Sequence, residues 1–281
     1  MKICYTLLFL VFFQQAFSQD QQTSSTKPQQ QQQQEDPELK DLQWNRYVKG
    51  EYVVLSIDEN QGRWLVNNLD QVSKWCTSRW GLEDVTLNKE CRIFCVPNNL
   101  LLKKLFNINE SKAEVRRSSD GSVDINVIWL SLDSLKKEFV SPYLTHVLFS
   151  QQQRPFWFLK GTESINSSFE SIRSKLEDKN LGYSCEKLFS LTQESYRALS
   201  KEEKSSFDTQ CILLCLMLRK ELGQVKLLTF LKEPDLSSGL RRVYGYKDVQ
   251  DFESKYKMYC NDLLGKIDDV PDYYFNVKGV D

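Results

Sequence analysis

The sequence predicts an α+β fold, a small mixed β-sheet with helices followed by a helical subdomain, and three observations predict it. From Glu51 to Leu130, short runs rich in β-branched and aromatic residues alternate with segments whose apolar residues recur at helical spacing. Toward the C-terminus, amphipathic and apolar helical patterns take over, ending near Leu264. The two halves meet in Val123 to Glu163, which reads as strand, helix, loop and helix and holds the chain's single histidine, His146.

At the N-terminus, Lys2 precedes an apolar run from Ile3 to Phe13 that is too short for an ordinary transmembrane helix. Ala16-Phe17-Ser18 fits a small-x-small cleavage site. Residues 1–18 therefore read as a secretory signal peptide, with a retained anchor as the alternative, and the expected localisation is secreted, periplasmic or otherwise extracytoplasmic. Residues 19–38 are Gln-rich with almost nothing to bury, which predicts a disordered linker. The rest divides into a sheet-containing part, 39–150, and a helical part, 151–281, and no later stretch has the length and apolarity of a membrane span. A formal net charge of −1 and the lack of a basic block argue against a nucleic-acid partner.

Glu51 to Ile57 is the first expected strand, followed by a helix over Gly62 to Trp80 whose buried face is Leu65, Leu69, Val72 and Cys76. Gly81 stands where a C-cap belongs. Cys91 to Val96 is the next strand, and Asn98 or Asn99 can cap a short helix to Phe106. The polar stretch from Asn107 ends in an Asp120-Gly121 turn before the strand Val123 to Leu130. A helix over Leu135 to Phe149 follows. Further on, Phe207 to Leu222 is strongly apolar and ends at Gly223, Val225 to Lys232 is short and amphipathic, and Leu240 to Tyr244 and Val249 to Leu264 close the chain. Mixed sheet, site helix and bundle in that order suggest two subdomains facing across a cleft.

Eight cysteines are present, and Cys4 would leave with the signal. Export makes disulfides feasible, with Cys76, Cys91, Cys95, Cys185 and Cys260 available for them and the connectivity open. Cys211 and Cys215 lie one helical turn apart, so they point the same way without bonding each other and read equally well as small buried hydrophobes.

The central stretch carries a family resemblance. A gluzincin-type zinc site needs HExxH on one helix, because histidines at i and i+4 share a metal while the glutamate activates its water. A glutamate in a Pro-x-Trp-x-x-Glu-Gly pattern opening the next helix is the third ligand. Pro155, Trp157 and Gly161 match that pattern, with Lys160 at the ligand position. Counting back through the loop sets His146 on the second histidine, Pro142 on the first and Tyr143 on the general base. From about Glu51 to Cys260 the chain thus resembles peptidase MA-like (gluzincin, HExxH) zinc metallopeptidases, and the resemblance implies a thermolysin-like architecture. It also assigns Ile125 to Leu130 to the edge strand beside the cleft and makes Ile128, Pro155, Trp157, Gly161 and Glu163 cleft-shaping.

The departures set the expected function. Two of the three ligands and the general base are replaced, a lone imidazole binds zinc weakly, and an ammonium has no lone pair to offer. No catalytic residue, metal or other cofactor is expected. The chain reads as an exported, catalytically inactive relative that binds a peptide or a secreted or envelope protein along the former cleft. Competing readings are a secreted hydrolase with a non-zinc mechanism in the same cleft, and a structural secreted α+β domain. Lys160 has two readings of its own: an ammonium in the former cation position, bonded to carbonyls or to Glu163, or a solvated lysine at a helix start. For His146 the readings are a hydrogen-bonded histidine packed between helices or a vestigial cleft residue. Trp75, Trp80 and Trp129 read as structural, as do Phe156, Trp157 and Phe158. Acidic pairs such as Glu83/Asp84 and Glu202/Glu203 read as ordinary surface charge. Asn109-Glu-Ser111 and Asn166-Ser-Ser168 fit the glycosylation sequon.

Overall fold

A computed structural model describes residues 42–267 except 83–84, 138–139, 168, 178–180 and 234. The expected signal peptide, the Gln-rich linker and the Glu83/Asp84 pair lie outside the described residues. The fold is mixed α+β, built on a five-stranded sheet of order β1-β2-β3-β5-β4. β1 (Asn45–Lys49) and β2 (Tyr52–Ser56) form an antiparallel hairpin. β2, β3 (Cys91–Val96) and β5 (Val123–Ser131) run parallel, and β4 (Lys112–Arg117) closes the far edge antiparallel to β5.

This order corrects one expectation: Ile125 to Leu130 belongs to an interior strand, and the edge is β4. The interior strands needed many apolar residues because both their faces are covered. β1 (NRYVK) and β4 (KAEVRR) are edge strands with one free flank, so they fold with polar sequences that give no strand signal.

Helix α1 (Glu59–Ser78) starts on Asp58, whose carboxylate accepts from the Gln61 N–H at 2.8 Å. Its buried face includes Leu65, Leu69, Val72 and Cys76, as the periodicity predicts. The chain leaves it through Gly81 in the left-handed region at φ 56°, with the Leu82 N–H returning to the Thr77 carbonyl at 3.0 Å. Trp80 is buried as expected, but Trp75 is 42% exposed and stacks under the Arg79 guanidinium at 4.5 Å. Helix α2 (Asn99–Phe106) is capped by Asn98 and covers the opposite sheet face, where Leu102 meets Phe94 and Trp129 in a small second core.

The helix expected over Leu135 to Phe149 is two helices, α3 (Leu132–Lys137) and α4 (Ser141–Ser150). Proline is tolerated only in the first turn, so Pro142 makes Ser141 a helix start rather than a helix interior. After a loop comes α5 (Phe156–Ile165), then α6 (Phe169–Glu177), α7 (Cys185–Ser190) and α8 (Gln193–Arg197). The long α9 (Lys201–Phe230) opens with a capping box between Ser200 and Glu203 and breaks at Gly223, whose φ of 76° and ψ of 171° are not helical. It joins the Phe207–Leu222 and Val225–Lys232 segments and begins earlier than expected. α10 (Leu236–Gly239), a π-turn over Leu240–Tyr244, and α11 (Val249–Gly265) are the last described elements.

The main core runs without interruption from Ile93 and Ile128 in the sheet through Leu144 and Phe158 to Leu213 and Tyr256 in the helices. The five cysteines expected to be available for disulfides are free and buried, as are Cys211 and Cys215. Cys91 and Cys95 sit four residues apart on one extended strand, about 13 Å, beyond disulfide reach of each other. Cys76 instead donates to the Ser141 carbonyl at 3.6 Å. Among the described residues no helix is long and apolar enough to cross a membrane.

Candidate functional site

α4 and α5 pack side by side because α4 is apolar around nearly its whole circumference, every residue from Ser141 to Phe149 being buried. At their junction three groups expected from sequence come together: His146 on α4, and Lys160 and Glu163 one turn apart on α5. Lys160 Nζ donates to Glu163 Oε2 at 3.1 Å, and its side chain is only 15% exposed. This excludes the solvated-lysine reading.

Two further members arrive from the helical half. Asp208 on α9 places Oδ2 3.8 Å from Lys160 Nζ, and Tyr196 on α8 donates its phenol to the same Oδ2 at 3.0 Å. The Lys160 ammonium lies 5.3 Å from the Tyr196 ring centroid, a cation–π distance. Asp208 Oδ1 is buried without a hydrogen-bond partner. Neither residue was foreseen. A solitary Asp in the apolar Phe207 to Leu222 run was the available signal, since a carboxylate there must find a counter-charge.

The electrostatics follow from burial with a single ammonium shared by two carboxylates. Burial alone would drive Lys160 down, but Glu163, Asp208 and the Tyr196 phenol hold it well above the ordinary lysine range. For Glu163, burial is opposed by Lys160, and the net effect leaves the carboxyl below its usual value. Burial wins at Asp208, whose carboxyl is raised despite Lys160. The shorter contact goes to Glu163, so Lys160–Glu163 is the ion pair and Asp208 the more protonatable partner. Burial, reinforced by Lys160 and opposed by Glu163, holds His146 below the usual histidine range. The imidazole is buried between the helices.

The remaining sequence-predicted residues lie at helix starts or in the core. Pro155 precedes α5 in extended conformation at ψ 142°, where its fixed φ suits a helix entry. Trp157 is buried among Phe158, Phe189 and Phe230. At Gly161 α5 packs tightly on α9: a Cβ there would overlap Cys215 Sγ and lie 2.6 Å from the Cys211 carbonyl oxygen. Ile128 is fully buried beneath the sheet and lines no surface. Pro142 and Tyr143 occupy the first turn of α4, both buried, and supply neither imidazole nor carboxylate. Among the described residues no three His, Cys, Asp or Glu side chains converge as a metal-ligand set. The cluster can hold charge and donate or accept hydrogen bonds, and its ammonium is committed. A separate shallow groove of about 520 Å³, between Trp64 on α1 and Leu135 on α3, does not reach it.

No protein-family model matches the chain, and comparison with curated proteins finds no match.

Proposed function

We propose that this chain is an exported, catalytically inactive relative of gluzincin metallopeptidases that binds a peptide or a secreted protein along its former cleft. The observation that carries the reading is Lys160: an ammonium stands at the ligand position of the Pro-x-Trp-x-x-Glu-Gly pattern, hydrogen-bonded to Glu163 and beside Asp208. An ammonium offers no lone pair to zinc and repels it, yet it supplies the positive charge the surrounding carboxylates need. Two features support the resemblance. His146, set on the second histidine by counting back from the Pro-x-Trp-x-x-Glu-Gly match, and Lys160, at the glutamate ligand of that match, lie close enough to influence each other's charge. An antiparallel edge strand, β4, runs beside α4, the arrangement that a thermolysin-like architecture calls for along its cleft. Such an edge presents free backbone donors and acceptors to an extended peptide, which gives the proposed binding its chemistry.

The test has two arms. Purified full-length protein is assayed for zinc by mass spectrometry and for hydrolysis of an unfolded protein, and is screened against an immobilised peptide library. The expected result is substoichiometric zinc, no hydrolysis, and peptide capture that a β4 substitution such as Val115→Pro abolishes. Stoichiometric zinc with hydrolysis overturns the inactive reading, and capture indifferent to β4 overturns the cleft. The triple variant Pro142→His, Tyr143→Glu, Lys160→Glu restores the full ligand set and is expected to acquire zinc.

A further inference from the structure

The two glycosylation sequons occupy opposite environments. Asn109 is exposed in the bend between α2 and β4, and its side-chain Oδ1 accepts from surface Lys103 at 2.7 Å. That bond is accepted by Oδ1, so a glycosidic amide formed at Nδ2 leaves it in place, and the attached sugar enters water. The Ser111 hydroxyl of the same sequon turns inward, accepting from the Ser131 N–H at 2.8 Å and so fixing the bend from which Asn109 projects.

Asn166 is 1% exposed at the end of α5. Its amide donates to Thr145 Oγ1 at 2.6 Å, its Oδ1 accepts from Trp80 Nε1 at 3.4 Å, and its backbone carbonyl accepts from Ser141 Oγ at 2.6 Å. Asn166 thus ties α4 to α5 and to the turn after α1. A sugar on that nitrogen would have to pass through the buried α4–α5 junction and would break these bonds, which burial makes costly.

We infer that Asn109 is an N-glycan acceptor and that the folded protein carries no glycan at Asn166. The ligand class is an N-linked oligosaccharide, transferred from a lipid-linked donor to Asn109 Nδ2 with loss of the lipid pyrophosphate and the amide proton. The inference rests on the export reading, because the transfer occurs only in a secretory compartment.

The test separates the two readings by expressing the full chain in eukaryotic secretory cells with its own leader and, in parallel, with the host's leader before Gln19. Secreted protein is treated with an amidase that removes N-glycans in heavy-oxygen water, which labels each former acceptor as Asp, and the sites are mapped by mass spectrometry. The expected result is label at Asn109 alone, and a single electrophoretic step that Asn109→Gln removes without lowering the secreted yield. Unlabelled Asn109 in protein secreted behind the host leader overturns the assignment while leaving export intact. Label at Asn166 in folded secreted protein overturns the exclusion. Secretion behind the host leader only, with Asn109 labelled, sinks the export reading and leaves the acceptor assignment standing as a property of the fold.

Discussion

Replacing Lys160 by methionine keeps most of the side-chain volume and removes only the charge. Glu163 and Asp208 are then left with no cation between them, in a site where the lysine side chain is 15% exposed and the carboxylates 22% and 18%. Fully buried pairs lose ~3–5 kcal/mol when one partner is removed, because the survivor is stranded in a poor solvent. Partial exposure lets water reach these carboxylates, so the expected loss is roughly 2–3 kcal/mol. For a domain of this size that corresponds to about 4–12 °C in Tm.

The loss carries a pH signature whose sign follows from the charges. In the native protein Glu163 is depressed, so its stabilisation is present above the unfolded carboxylate value and disappears as pH falls through the folded one. In the variant both carboxyls rise, the folded state takes up protons first, and the penalty shrinks as pH falls from 8 to 5. Asp208, already raised in the native protein, is the first to relieve it. The assay is calorimetric or circular-dichroism melting of both proteins at pH 5, 6.5 and 8. A Tm change under about 2 °C that is the same at all three values, as expected of a surface lysine, would refute the buried ion pair.

Other expectations follow from neighbouring contacts. Gly161→Ala drives a methyl into Cys215 Sγ and the Cys211 carbonyl, an overpacking worth ~1–3 kcal/mol; adding Cys215→Ala restores only part of it because the carbonyl remains, which urea titration of both variants checks. Because His146 is held below 6.5 when folded, its contribution is present above that pH and lost as pH falls toward the folded value; His146→Phe is expected to flatten the stability slope between pH 5 and 7, and an unchanged slope would assign it to other groups. Since His146 is the only histidine, acylation by diethyl pyrocarbonate reports on one site. Tyr196→Ala removes the phenol–Asp208 latch of α8, a helix with no buried residue, and is expected to speed that reaction roughly tenfold, the effect of about 1.4 kcal/mol on a local opening; an unchanged rate would mean that α8 does not cover the site.

How much could be read in advance depended on what each residue was asked to do. Interior strands and α1 declared themselves because both strand faces and one helix face are buried, which forces an apolar pattern on Val53, Ile93, Leu65 and Leu69. Edge strands escaped because one free flank relaxes that demand, and their pairing is supplied by the backbone of β2 and β5. The Lys160–Glu163 contact was foreseeable, since i and i+3 are neighbours on any helix. Asp208 and Tyr196 were not, because their meeting with Lys160 depends on how α8 and α9 pack on α5, a distance of dozens of residues along the chain that no local spacing encodes. The expectation that Ile125 to Leu130 forms an edge strand failed because the polar residues 107–121 gave no sign of β4, which pairs outside it.

The ammonium of Lys160 has one consequence that a metal ion in its place could not share. A bound ion exchanges with the surroundings, so its occupancy depends on supply, on competing ligands and on passage between compartments. A charge fixed to the main chain is delivered once, at synthesis, in a ratio of one to each molecule. Its affinity for Glu163 is expressed as fold stability instead of as a dissociation constant. Chelators, scarcity and competing cations therefore have nothing to remove, and the charge beside Glu163 and Asp208 is as permanent as the covalent chain that carries it.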